Sequence, residues 1–173
     1  LHPNIRHVYF PFDHSLPGVR VPQKGAKLRI GHSPSNRAAK GSDKIIEAVR
    51  KLEAKFPVEL ALIENRPHAE AMKIKATCDI GIDQIGDLGY GISALEWLAM
   101  GIPVASCIAA NMKKEVKDHP FVEIDAGNIE SQLERLIRDE AYRLELGRRG
   151  RQWLERNHEA REVVKRIHSL LSF

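Results

Sequence analysis

The chain has 173 residues, 43% of them hydrophobic and 29% charged, with a formal net charge of +4 and two cysteines, a length that suits one domain with a full core. No apolar run reaches membrane-spanning length and no secretory leader is visible, while Cys78 and Cys107 are too few and too far apart for a disulfide framework or a zinc site, so reduced thiols and a cytoplasmic location are expected. The basic residues cluster only at Arg148-Arg149-Gly150-Arg151; no nucleic-acid partner is predicted, and peripheral contact with an anionic membrane surface, at its inner face, stays compatible with the charge.

Residues 1–25 start at Leu1 rather than at a methionine and are rich in Pro and His around Val8-Tyr9-Phe10-Pro11-Phe12. They read as a linker or lead-in segment from a missing N-terminal domain, and residues 26–173 as the domain proper. Leu28 and Ile30 mark a first strand, and residues 32–41 a polar loop. Ser42 is predicted to cap a helix whose buried face is Ile45, Val49, Leu52 and Phe56, with Asp43 in its first turn and Pro57 at its end. A second strand over 58–63, a short helix over 68–77 and a third strand over 79–83 follow. Residues 103–106 and 121–124 read as two more strands. From Asn128 onward the pattern is helical, through Leu133 and Leu136, then over about 142–156, then through Val163, Ile167 and Leu171.

The most informative stretch lies between the third and fourth strands. Gly89 and Gly91 flank Tyr90 where a helix should begin, and glycine lets the backbone turn so that successive N–H groups converge on an anion. The helix runs over 92–100 and is closed by Gly101 and Pro103. Its N-terminus, with Ile92 and Ser93, favours a diphosphate through unpaired N–H groups and the macrodipole. Glu96 is one carboxylate among Ala94, Leu95, Trp97 and Leu98, costly to bury unless hydrogen-bonded, and a pair of ligand hydroxyls would serve.

Strands alternating with helices imply an α/β fold, a doubly wound parallel sheet with helices on both faces. Ligands of such sheets bind beyond the carboxyl ends of the strands, which selects the loops at 32–41, 64–67 and 83–91. The first holds Arg37 and Lys40, fixed charges suited to phosphate oxygens. The Asp83-Gln84 pair ends the third strand, where it can contact a bound ligand or merely terminate the strand, and His32 stands where the first strand empties into the same crevice. No histidine spacing suggests a metal site, so neither metal nor other cofactor is predicted.

The segment Leu95-Glu96-Trp97-Leu98-Ala99-Met100-Gly101-Ile102-Pro103-Val104, preceded by Gly89-Tyr90-Gly91, resembles the C-terminal, donor-binding domain of GT-B glycosyltransferases, the family 4 group of retaining enzymes. The resemblance covers about residues 27–171. It implies a Rossmann-like domain forming half of a GT-B fold, with a nucleoside-diphosphate sugar as substrate and a glycan or lipid-linked acceptor held by the missing N-terminal domain. Glu96 then holds the ribose hydroxyls, and Arg37 with Lys40-Gly41 matches the family's Arg and Lys-Gly pair. Arg37, Lys40, Gly89, Tyr90, Gly91, Ile92 and Ser93 would stabilise the departing diphosphate, an electrostatic catalysis that needs no protein nucleophile. The family places a second glutamate just before the first glycine; here that position is Leu88, with Asp87 the nearest acid.

The resemblance thus implies a hexosyl-type transferase of glycan, polysaccharide or glycolipid synthesis, inactive as an isolated domain. Two alternatives stand beside it. One is a non-catalytic nucleotide-sugar-binding module, which Leu88 keeps open; the other is an epimerase or phosphorylase on the same scaffold. A dinucleotide oxidoreductase is disfavoured, because Gly31-His32-Ser33-Pro34 after the first strand is no Gly-x-Gly-x-x-Gly turn.

Overall fold

The computed structural model describes residues 7–15, 20, 27–86, 89–116 and 118–171; Asp87 and Leu88 lie outside them. Strands β1 (Leu28–His32), β2 (Val58–Leu62), β3 (Ile80–Ile82), β4 (Val104–Ser106) and β5 (Val122–Glu123) alternate with helices α1 (Arg37–Lys40), α2 (Ser42–Glu53), α3 (His68–Lys75) and α4 (Ile92–Ala99); α5 (Ile129–Arg138), α6 (Glu140–His158) and α7 (Ala160–Leu171) follow. All five strands join one sheet in the order β2-β1-β3-β4-β5, and every pairing is parallel. The fold is therefore Rossmann-like, as the alternation of strand and helix predicts.

Strand periodicity divides the core into two layers. Ile30, Ile80 and Ile82 meet Ile45, Val49 and Leu52 of α2 and Leu133 and Leu136 of α5. On the other side α4 contributes Leu95, Trp97 and Leu98, packed with Trp153 and Leu154 of α6. Gly31 and Gly81 are register partners on adjacent strands, and their missing side chains form the slot that Trp97 fills. A Cβ at Gly81 would come within 2.5 Å of the indole, and one at Gly31 within 2.9 Å. Trp97 is fully buried there, which seats α4 on the sheet.

Two local expectations are corrected. The loop at 32–41 contains a helical turn, α1, because the Asn36 side chain accepts from Ala39 N at 3.0 Å and Gly41 closes the turn in the left-handed region at φ 67°. Ser42 is consequently the first residue of α2 rather than its cap; its hydroxyl turns inward to His32 Nε2 at 2.8 Å. The described part of segment 1–25 lies against the rest of the chain: Phe12 N donates to His158 O at 2.8 Å and Arg20 pairs with Asp79.

Gly81→Ala should lower stability by about 1–3 kcal/mol, the usual cost of overpacking a filled core, as read from chemical denaturation; a loss below ~0.5 kcal/mol would mean that Trp97 is not wedged in the slot.

Candidate functional site

The sheet order puts β1 beside β3, with β2 outside one and β4 outside the other. Their carboxyl ends form the switch point at which doubly wound sheets bind ligands. Asp83, the residue after β3, is buried there; its Oδ1 receives Lys40 Nζ at 2.6 Å, and its Oδ2 accepts the Gly91 N–H at 2.8 Å. Lys40 and the start of α4 are thereby brought to one point. A Cβ on Gly91 would lie 3.1 Å from the Lys40 ammonium. Gly91 is the N-terminal boundary of α4, whose first turn has neither a side-chain cap nor an acidic residue, leaving the positive helix end open to an anion.

The turn that precedes α4 is fixed from behind. Gly89 has φ +78°, and a Cβ there would meet Met112 Sδ at 2.3 Å. The Tyr90 side chain points away from the cation and into an aromatic cluster, stacked on Phe121 at 4.9 Å between ring centroids. Its hydroxyl donates to His158 Nε2 at 3.1 Å, and His158 Nδ1 donates to Phe10 O at 2.6 Å. Tyr90 thus anchors the turn, and only its backbone is available to a ligand at the mouth. Ile92, on the first turn of α4, is half exposed.

The second predicted cation is engaged differently. Arg37 grips Glu64, which follows β2, through two parallel bonds, Nε to Oε1 at 2.7 Å and Nη2 to Oε2 at 2.6 Å. Arg37 holds the Glu64 carboxyl below its ordinary range. This fork leaves half of the Arg37 side chain exposed, so the guanidinium can meet a second anion from outside.

Glu96 is 6% exposed and is satisfied within the chain. Lys75, at the end of α3, contacts its Oε2, and His68, at the start of α3, bonds its Oε1 through Nε2 at 2.7 Å. The Lys75 ammonium also donates to Ser93 Oγ at 2.8 Å. Burial pushes the Lys75 pKa down, opposed chiefly by the Glu96 charge. Sequence reasoning missed both partners. The available signal was their seven-residue spacing, which puts His68 and Lys75 two turns apart on one face of α3.

Gln84 and His32 differ sharply. Gln84 is 1% exposed, yet neither its amide nitrogen nor its amide oxygen has a hydrogen-bond partner among the described residues, a state that a bound polar ligand would relieve. His32 is fully buried, with Nδ1 donating to Ile82 O at 2.9 Å and Nε2 accepting from the Ser42 hydroxyl. Both of its nitrogens are used inside the fold, under α2, so it ties β1 to β3 and α2. Burial pushes its pKa down.

Among the described residues no group of three or more His, Cys, Asp or Glu side chains is placed to hold a metal ion, and no helix is long and apolar enough to cross a membrane. Cys78 is buried, and burial pushes its thiol up to about 12, which keeps it protonated.

The fold recurs in solved glycosyltransferase structures. Anabaena HepE, solved with UDP and glucose, superposes with a TM-score of 0.69 at 12% identity, over 95% of this chain and 55% of that one. S. aureus TarM, solved as a mutant with fondaparinux, alpha-GlcNAc-glycerol and UDP, gives a TM-score of 0.65 at 13% identity, over 90% and 38%. The C-terminal domain of LpcC, a group 1 glycosyl transferase of Francisella tularensis, gives a TM-score of 0.57 at 16% identity, over 83% of this chain and 97% of that domain. The chain therefore spans about half or less of HepE and TarM, and nearly all of the LpcC domain. No family model matches the sequence, and no curated protein matches it. At these identities the likeness establishes the fold alone, a Rossmann-like domain of the kind that makes up half of a GT-B arrangement.

The buried imidazoles make stability pH-dependent. Burial lowers the pKa of His158 from 6.5 to about 4, so between these values the unfolded chain binds more protons than the native one. Stability present above pH 6.5 is lost as the pH falls through this window, by roughly 3 kcal/mol from His158 alone. Denaturant unfolding at pH 7 and pH 4.5 should show the loss, and His158→Gln should flatten the slope; an equal slope in the variant would assign the acid sensitivity elsewhere.

Proposed function

We propose that this chain is the donor-binding half of a retaining glycosyltransferase, taking a nucleoside-diphosphate sugar at the carboxyl edge of β1 and β3. The observation that carries the reading is the Lys40 ammonium lying against Gly91 at the uncapped start of α4. A cation and a helix N-terminus at one point form a diphosphate site. The solved structures of the same fold with UDP support the choice of ligand class.

In this reading the diphosphate shares Lys40 with Asp83 and meets Arg37 on the face that Glu64 leaves open. As the glycosidic bond to the diphosphate breaks, charge grows on the phosphate oxygens, and Lys40, Arg37 and the first N–H groups of α4, at Ile92 and Ser93, stabilise it without reorganising. Glu96 accepts from the ribose hydroxyls, and the Gln84 amide meets the donor. The turn of Gly89, Tyr90 and Gly91 sets the backbone against the phosphates. In this reading the sugar acceptor is held by another part of the enzyme; HepE and TarM extend well beyond the span that this chain matches, which is 55% and 38% of their lengths. A non-catalytic nucleotide-sugar-binding module is the second reading, favoured by the engagement of Lys40, Arg37 and Glu96 with partners inside the chain.

Calorimetry with UDP and uridine tests the phosphate site. Lys40→Ala should weaken UDP binding about tenfold or more, since a hydrogen bond to a charged group contributes about 1.5–3 kcal/mol, and should leave uridine within about twofold. Equal losses for both ligands would remove Lys40 from the phosphate site. Arg37→Ala should show the same contrast on a smaller scale, shrinking with added salt, because its side chain is half exposed.

A further inference from the structure

A lysine is retained in a protein interior only when its ammonium is paired. Lys75 is 3% exposed, and its ammonium meets three groups on α4: Oε2 of Glu96, Oγ of Ser93 at 2.8 Å and the Trp97 ring, with Nζ 4.8 Å from its centroid. Positions 93, 96 and 97 share one helix face. The other oxygen of Glu96 has a partner of a different kind. His68, whose side chain is 75% exposed, reaches Oε1 from the solvent side. The two carboxylate oxygens are thus held unequally, one from the core by a group that is almost fully enclosed, the other from the surface by a group with room to swing away.

We infer, resting on the donor-site reading above, that Lys75 is a positioning residue for nucleotide recognition: it fixes Glu96 through Oε2, so that Oε1 faces the ribose hydroxyls once His68 yields its place. A carboxylate on a flexible stem gives up rotamer freedom when it binds two hydroxyls, and a partner that has already fixed it lowers that cost. A carboxylate facing an ammonium acts as acceptor only, and hydrogen bonds to it are strong. His68 meanwhile satisfies Oε1 while the mouth is open to water.

The test is the preference for UDP over 2′,3′-dideoxy-UDP, measured by calorimetry on the 173-residue chain. The unsubstituted chain should prefer UDP by about tenfold or more, as two hydroxyl contacts to a charged acceptor require. Lys75→Met should bring that ratio to within about threefold of unity while binding of inorganic pyrophosphate stays within about twofold, because Lys75 meets the phosphate site only through the Ser93 hydroxyl, and the phosphates are held by Lys40, Arg37 and backbone N–H groups. His68→Ala should keep the ratio. A residue that only supports the core would weaken UDP and its dideoxy analogue equally, so an unchanged ratio in Lys75→Met overturns the inference and leaves the donor site standing. No UDP binding by the unsubstituted chain, or no preference between the two ligands, overturns the reading on which it rests and the inference with it. If Lys75→Met lacks a cooperative thermal transition, a crystal structure of the unsubstituted chain with UDP decides. Lys75 on Oε2 with a ribose hydroxyl on Oε1 supports the inference, and a ribose-bound Glu96 that has left Lys75 refutes it.

Discussion

The geometry of this edge of the sheet hangs on one buried carboxylate. Asp83 stands at the end of the middle strand, its side chain fully enclosed, and neutralising it takes a cation from the loop after β1 and an amide from the start of α4. An unpaired carboxylate in that position would cost several kcal/mol, so the two loops cannot separate without exposing or stranding it. The backbone bond from Ile85 N to Lys40 O at 3.1 Å stitches the same loops a second time. Because β1 and β3 are neighbours and the chain leaves them in opposite directions across the sheet, these contacts lie at the switch point where the helices diverge and a crevice must open.

The charges around the crevice form a set of short ion pairs whose members differ in how much of each side chain remains reachable. Lys40 is mostly enclosed and Arg37 half exposed; each is held by a carboxylate from a different strand end. Such pairs keep cations in place at little net cost to stability, since the Coulomb gain and the desolvation of the two ions nearly cancel. They also make the exchange of one anion for another a small rearrangement rather than the ordering of a free side chain.

Much of this is legible in the sequence, and the boundary of legibility is physical. The strands announce themselves by apolar runs between turn residues, and α4 by its spacing and its closing Gly101-Ile102-Pro103. The glycine pair around Tyr90 marks the turn correctly. The sequence does not show who neutralises whom: Arg37 with Glu64, Lys40 with Asp83 and Lys75 with Glu96 are far apart along the chain and meet only because the strand order brings their loops and helices together. Local rules therefore assign Glu96 to a ligand as the nearest way to satisfy a buried polar group, and His32 to the crevice by its place after the first strand, whereas the fold also supplies Lys75, His68, Ser42 and the Ile82 carbonyl. Ser42 shows the same limit on a smaller scale. Its type fits a helix cap, and its hydroxyl is drawn inward by an imidazole ten residues away in sequence.

The aromatic cluster that holds Tyr90 gives the molecule an optical property. Of the two indoles of the chain, Trp97 is sealed between Gly31, Gly81 and the Lys75 ammonium. Trp153 lies 5.7 Å from the Tyr90 ring and 5.1 Å from the His158 ring, centroid to centroid, and in edge contact with Tyr9. Movement of the turn before α4, displacement of residues 7–15, or a proton on His158 each alters the field around that one chromophore. The emission of the chain accordingly has a silent component and a responsive one, and the responsive one belongs to the side of the fold where residues 7–15 meet α6.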